Sequence, residues 1–227
     1  MYPMKKYVPL ILLVALSTGS WVLGLHHYLN FETLKSNQMT IDSFVSLNPW
    51  GSALIYGLLY VLVVSLSIPG AAFMSITTGF LFGQWWGMLI VVLSATFGSC
   101  FLFLSAKQAS PQVLTQRAGS WGDKMQKGFQ DNAFSYLLTL RLIPLFPFVA
   151  INLVAALLQI PFRIFFWGTF LGIMPGSFAF VSLGVALRDV IQRPDFKNYL
   201  VVSPKVWIAL VGLGILSLLP VLYKRFR

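Results

Sequence analysis

Two arginines, Arg141 and Arg163, are the first residues of this 227-residue chain that could do chemistry, because each stands in or beside a long apolar run. An arginine centred in a membrane helix costs about 3 kcal/mol on the insertion scale, so its position needs a reason. Arg163 follows Pro161 at a segment boundary, from which its stem can snorkel to an interface. Arg141 lies between Tyr136-Leu-Leu-Thr-Leu and Leu142-Ile143-Pro144. A bend there would aim its guanidinium into a cavity, and a guanidinium binds phosphate bidentately. No acid shares that apolar run. An anionic ligand is one candidate partner, and free carbonyls of a broken segment are the other.

Little else offers a reactive group. The six Asp and Glu lie in or beside polar loops, and no histidine follows His27. Gly-x-Ser-x-Gly, His-Glu-x-x-His, a P-loop and a cysteine pair are all absent. A lipid phosphatase or transferase would need a His or carboxylate near its nucleophile. The second half offers only Asp123, Asp131, Asp189 and Asp195. An enzyme is therefore not expected, and neither a metal site nor a cofactor is implied. The single cysteine, Cys100, allows no internal disulfide and reads as a small packing residue in an apolar run.

The elements that position such an arginine must be membrane helices. Charged residues make up 10% of the chain, against about 25% in an average soluble protein. Hydrophobic residues reach 57%, and the mean hydropathy is +0.79. This excludes an ordinary soluble globule, a disordered chain and a disulfide scaffold. The net charge of +10 does not indicate a nucleic-acid binder, because the sixteen Lys and Arg are scattered between apolar runs. That pattern fits loops facing anionic lipid headgroups.

Residues 7–31, 43–106, 142–162, 164–187 and 206–223 carry no Asp, Glu, Lys or Arg. A helix needs roughly 20 apolar residues to cross the hydrocarbon core. The chain thus offers spans at about 7–27, 50–68, 86–106 and 164–187, with 206–223 as a short fifth. The first could be a secretory signal, but its apolar core is long and no convincing Ala-x-Ala site follows, so it reads as a retained helix. Two apolar segments are poor straight helices: 68–85, with Pro69, Gly70, Gly79 and Gly83, and 133–161, with Pro144, Pro147 and Pro161. Backbone groups freed by proline inside a membrane need protein or a water-filled cavity. Paired broken segments point to re-entrant hairpins about a central site, as in inverted-repeat transporters. A faint echo supports this: Ile68-Pro69 against Ile143-Pro144, and Gly98-Ser99 against Gly176-Ser177.

Three domains follow: a helix and polar linker over 1–48, a core over 49–187, and a loop and helix over 188–227. Within the long polar stretch, Trp121, Met125 and Phe129 recur every four residues. They fit an interfacial amphipathic helix over about 112–130, or an irregular loop with chance apolar residues. Gly168, Gly172 and Gly176 recur every four residues on the next-to-last span, as small residues do where helices pack. Pro175 predicts a kink there. Lys and Arg divide too evenly between the two sets of loops to assign an orientation.

The stretch from Ser67-Ile-Pro-Gly through Gly79-Phe-Leu-Phe-Gly83 resembles the first hairpin of the DedA-type family, also called the VTT-domain or SNARE-associated Golgi protein family. Leu140-Arg-Leu-Ile-Pro-Leu-Phe-Pro147 resembles its Arg-x-x-Pro-x-x-Pro element, and Ala150-Ile-Asn152, Pro161-Phe-Arg-Ile-Phe165 and Gly168 to Ser177 continue the likeness. The resemblance covers about 60–185. It implies an all-α, polytopic membrane bundle with two opposed re-entrant hairpins in an inverted repeat. It places Arg141, Pro144, Pro147 and Asn152 on the second hairpin and Gly79 and Gly83 on the first. Many bacterial members carry a Glu where this chain has Ala71, which counts against proton coupling, and a Gly where it has Ala156.

The function so implied is a scramblase or carrier that moves phospholipids or a phosphorylated lipid between leaflets without nucleotide hydrolysis. Arg141 would attract the headgroup, with Thr77, Thr78, Asn152 and Arg163 beside it. The expected partners are membrane lipids with anionic headgroups, not nucleic acid, and a homo-oligomer stays open. The expected location is the plasma (inner) membrane or an internal one. A secondary transporter of a small solute or ion, or a structural membrane protein, is the alternative.

Overall fold

A computed structural model describes residues 38–108, 132–142 and 146–191. The spans expected at 7–27 and 206–223, the amphipathic helix over 112–130, and Pro144 lie outside these residues. Among the described residues the regular structure is entirely helical: α1 Gln38–Leu47, α2 Pro49–Ser65, α3 Ala71–Phe82, α4 Gln84–Gln108, α5 over 132–142, α6 Phe148–Leu157 and α7 Phe162–Ile191.

Two of these helices are long and apolar enough to cross a membrane, Gln84–Gln108 and Phe162–Arg188. A third span exists if α1 and α2 count as one, though they meet at 116°. The bend has a local cause. Pro49 cannot continue a preceding helix, and the Asn48 side chain accepts from the Gly51 N–H at 3.2 Å, so α2 starts afresh. The span expected over 50–68 is a 17-residue helix that stops at Ser65.

Its stop signal occurs twice. Leu66-Ser67-Ile68-Pro69 ends α2, and Leu158-Gln159-Ile160-Pro161 ends α6. In each, the polar residue takes a left-handed conformation, φ 57° at Ser67 and φ 55° at Gln159. The isoleucine N–H then reaches back to Val63 O or Ala155 O, and proline prevents resumption. Ile68-Pro69 and Ile160-Pro161 therefore share one local geometry, while the expected counterpart Ile143-Pro144 lies outside the described residues.

The helices fall into two sets of three, α2-α3-α4 and α5-α6-α7, each with a short helix followed by a long one. The starts of the short helices, Ala71 and Phe148, are 77 residues apart, and those of the long helices, Gln84 and Phe162, are 78 apart. The short helices exchange partners, α3 packing on α7 and α6 on α4. Backbone meets backbone where α3 crosses α7. A Cβ on Gly79 would lie 2.1 Å from Val181 O, and one on Gly184 would lie 1.9 Å from Ile76 O. Gly98 lets α2 approach α4 in the same way, against Val61 O.

The outer end of each short helix is held by a cation from the last turn of the long helix it packs on. Arg188 of α7 donates to Leu81 O of α3 at 3.5 Å and pairs with Asp42 of α1 at 3.8 Å. Lys107 of α4 donates to Ile160 O at 2.6 Å, just past α6. Cations at helix C-termini meet the negative end of the helix dipole. These contacts place the two outer ends at opposite ends of the α4–α7 pair, which runs antiparallel.

The surface is what lipid requires. Leu54, Ile55, Leu58, Leu59 and Leu62 lie exposed along α2, and Leu89, Leu93, Phe97, Phe101 and Leu104 along α4. Such stripes are a liability in water and the natural face toward acyl chains. The largest buried core gathers Cys100, Phe103, Leu137, Ile151, Ala155 and Phe165, with Phe103 stacked on Phe165 at 4.0 Å.

Candidate functional site

The inner ends of the two short helices meet a cavity of about 280 Å³. Ala71, Ala72 and Ser75 come from the start of α3, and Phe148 from the start of α6. Tyr60 and Val64 line it from α2, Ala95 from α4, Arg141 and Leu142 from the end of α5, and Ile173, Gly176, Ser177 and Phe180 from the middle of α7. Its walls are mainly apolar, and no carboxylate is among the described residues that line it. The polar groups are few: the Arg141 guanidinium, the Tyr60 phenol and the Ser75 and Ser177 hydroxyls. Tyr60 Oη donates to Ala71 O at 3.1 Å and lies 2.9 Å from Ser75 Oγ, which fixes the wall at the start of α3.

Arg141 of α5 is held from two helices, α6 and α7. Its Nη2 donates to Asn152 Oδ1 of α6 and, at 3.0 Å, to Thr169 Oγ1 of α7. Its guanidinium lies over the Phe148 ring at 4.4 Å and near the Phe165 ring at 5.7 Å. Its Cβ would stand 2.6 Å from a Cβ on Gly172, so only glycine there admits the arginine stem. Nε and Nη1 are buried and have no hydrogen-bond partner, as is Asn152 Nδ2. A buried donor without a partner costs about 1–3 kcal/mol, more when charged. The network is therefore incomplete, and its missing members are acceptors.

The other expected site residues divide. Asn152 is fully buried and bonds to Arg141 instead of lining the cavity. Thr77 and Thr78 do not reach the cavity: their hydroxyls donate to Phe73 O and Met74 O within α3. Buried hydroxyls in a helix commonly bond back to the preceding turn in this way. Arg163 is exposed in the first turn of α7, away from the cavity, where a snorkelling side chain belongs.

Among the hairpin residues, Pro69 and Gly70 (φ 142°) form the turn into α3, and Gly83 (φ 78°) caps its end. Gly79 sits beneath Val181, and Pro147 caps α6 at its start. Gly168 faces Leu137 and Gly172 faces Arg141, so both serve the approach of α5. At Gly176 a Cβ would meet nothing within 4 Å, so the packing role expected there is corrected: Gly176 lines the cavity. Thr169, Phe148, Tyr60 and Ser75 carried no sequence signal of their own. Ser75, Thr169 and Ser177 lay within stretches that carried the resemblance, but of these only Ser177, beside Gly176, was singled out.

Comparison with known proteins follows this geometry. The model of the VTT domain matches residues 68–186. An uncharacterized membrane protein of Arabidopsis thaliana is 34% identical over 175 residues, 74% of this chain and 58% of its own length. A transmembrane protein 41 homolog of Caenorhabditis elegans is 30% identical over 170 residues, 73% of this chain and 67% of its own. Transmembrane protein 41B of Gallus gallus is 31% identical over 170 residues, 73% of this chain and 61% of its own. The chain thus spans about three fifths of the length of most of these relatives. No solved structure matches.

Proposed function

This chain belongs to the VTT-domain family of membrane proteins, and on that premise we propose that it moves phospholipids, or one phosphorylated lipid, between leaflets without nucleotide hydrolysis. The observation that carries the reading is Arg141: a guanidinium at an internal cavity, with buried N–H groups at Nε and Nη1 that lack acceptors. A phosphate oxygen is the acceptor such donors suit. The start of α3 strengthens the site, since Gly70 has no side chain to cap it and the positive end of the helix faces the cavity.

In this reading α2 with α3, and α5 with α6, are the two re-entrant hairpins. The starts of α3 and α6 flank the cavity, at mid-depth in this reading. The headgroup passes through the cavity while the acyl chains stay along the exposed apolar stripes. Among the described residues that line the cavity the one charged side chain is Arg141, a cation, which supports a phosphate as the species handled. The protein acts as a carrier and not as an enzyme, in the plasma (inner) membrane or an internal one, with anionic lipid headgroups as partners.

The test is reconstitution into liposomes that carry fluorescent phospholipid in both leaflets, read with a membrane-impermeant quencher. The expected result is quenching that rises from about half toward completion, because inner-leaflet lipid becomes reachable, and that slows at least tenfold in Arg141→Ala, a loss of about 1.4 kcal/mol or more. Wild-type rates in a well-folded Arg141→Ala would remove Arg141 from the mechanism. Quenching that stays near half in the wild-type protein would refute general scrambling.

A further inference from the structure

Arginine carries five N–H groups on a planar fork. The fork grips two oxygens of one phosphate along either of two edges, Nε with Nη2 or Nη1 with Nη2. Both edges need Nη2. Here both Nη2 hydrogens are taken, one by Asn152 Oδ1 and one by Thr169 Oγ1. The free groups, Nε and Nη1, lie on different edges and cannot close together on one phosphate. The guanidinium face is covered by Phe148. The two acceptors are fully buried and come from different helices, so neither rotates away without disturbing the core.

Resting on the headgroup reading above, we propose that Asn152 and Thr169 are positioning residues that park Arg141. They hold Nη2, and with Nε and Nη1 buried a phosphate gains the bidentate grip only if the guanidinium leaves its acceptors. Parking keeps the affinity low, which a conducting site needs, because a species must be bound well enough to enter and weakly enough to leave. The ligand chemistry is a phosphate mono- or diester, either on a lipid or free.

The test titrates the full-length protein in detergent micelles with dioctanoyl phosphatidic acid, and in a parallel arm with inorganic phosphate. Thr169→Val removes one acceptor at nearly constant volume. It is expected to tighten the Kd for dioctanoyl phosphatidic acid about tenfold, near the worth of one charge-assisted hydrogen bond. Asn152→Asp puts a carboxylate on Nη2 at constant shape and is expected to weaken the Kd about tenfold or more. Lipid transfer falls in both, through retention in the first and poor capture in the second. Thr169→Ser, which keeps the hydroxyl, moves back toward the wild-type Kd.

Opposite signs support parking, since a merely structural role moves both variants the same way. Weaker binding in both, or a change in neither, overturns it and leaves the headgroup site standing. Should Asn152→Asp fail to fold, Thr169→Val decides alone, because damage does not tighten binding. Arg141→Gln tests the site itself: wild-type binding in that variant overturns the headgroup reading and parking together. Opposed signs in the inorganic phosphate arm support parking with free phosphate as a ligand, and opposed signs with phosphatidic acid alone support it with a lipid-borne one.

Discussion

Gly176→Ala and Gly184→Ala, two changes of the same chemistry on the same helix, should shift stability in opposite directions. At Gly184 the added Cβ would lie 1.9 Å from Ile76 O, and that oxygen belongs to backbone that cannot rotate away. Reaching ordinary contact at 3.4 Å requires α3 and α7 to separate by about 1.5 Å, the difference between those distances. Overpacking of a tight contact costs about 1–3 kcal/mol. This one lies at the upper end, because the nearby Gly79–Val181 contact must open with it. At about 2–4 °C per kcal/mol for a chain of this size, the midpoint should fall about 6–12 °C. At Gly176 a Cβ meets open space, and replacing a helix-interior glycine gains up to about 1 kcal/mol of helix propensity. Its midpoint should rise about 2–4 °C, while the cavity it lines becomes smaller. Thermal unfolding of full-length protein in detergent, followed by loss of the monodisperse peak, measures both. A Gly184→Ala midpoint within 2 °C of wild type, or a fall in Gly176→Ala, would refute the close approach and its assignment to α3.

Lys107→Met should loosen the outer end of α6 by about 1 kcal/mol, read as faster amide exchange at residues 158–160 with little change in α3; equal changes in both would refute a local clamp. Ser67→Gly relieves a left-handed residue at the end of α2 and should stabilise by about 1 kcal/mol, whereas destabilisation would show that the Ser67 side chain carries a contact of its own. Ala71→Glu puts a carboxylate into the cavity that Arg141 lines and should abolish binding of dioctanoyl phosphatidic acid; retained binding would place the lipid elsewhere.

The sequence made the helical class and Arg141 legible for a simple reason: both depend on where charges are missing, and that is visible in one dimension. Helix breaks were legible where proline and glycine cause them, at Pro69-Gly70 and Gly83. The likeness of the caps before Pro69 and Pro161 was not legible, because only the backbone shows the shared left-handed turn at Ser67 and Gln159. The place of Thr77 and Thr78 away from the cavity was not legible, because a hydroxyl in an apolar helix has two uses, lining a path or bonding its own preceding turn. Spacing does not tell them apart. The three glycines of α7 looked equivalent at intervals of four, yet two admit α5 and the third borders a cavity. What faces a glycine depends on a neighbouring helix that its own sequence does not contain. Thr169 was invisible for the same reason, since its value lies wholly in reaching Arg141.

The electrostatics of the site follow from helix direction more than from residue count. Both short helices start at the cavity, and at their outer ends Arg188 or Lys107 meets the carbonyls. Each helix start contributes about half a positive charge, and the cation at the far end offsets the negative half. Arg141 adds a full charge between them, with no carboxylate among the described lining residues to cancel it. The inner field is thus positive over a space walled by apolar side chains, where little water weakens it. In the proposed reading such a field favours an anion over a cation. Unrelieved, it would also hold that anion too well. Asn152 and Thr169 answer this by spending the one nitrogen that both grips of the guanidinium share. Parking and a positive cavity are therefore two parts of one requirement, a charge strong enough to draw a phosphate into the membrane and restrained enough to release it.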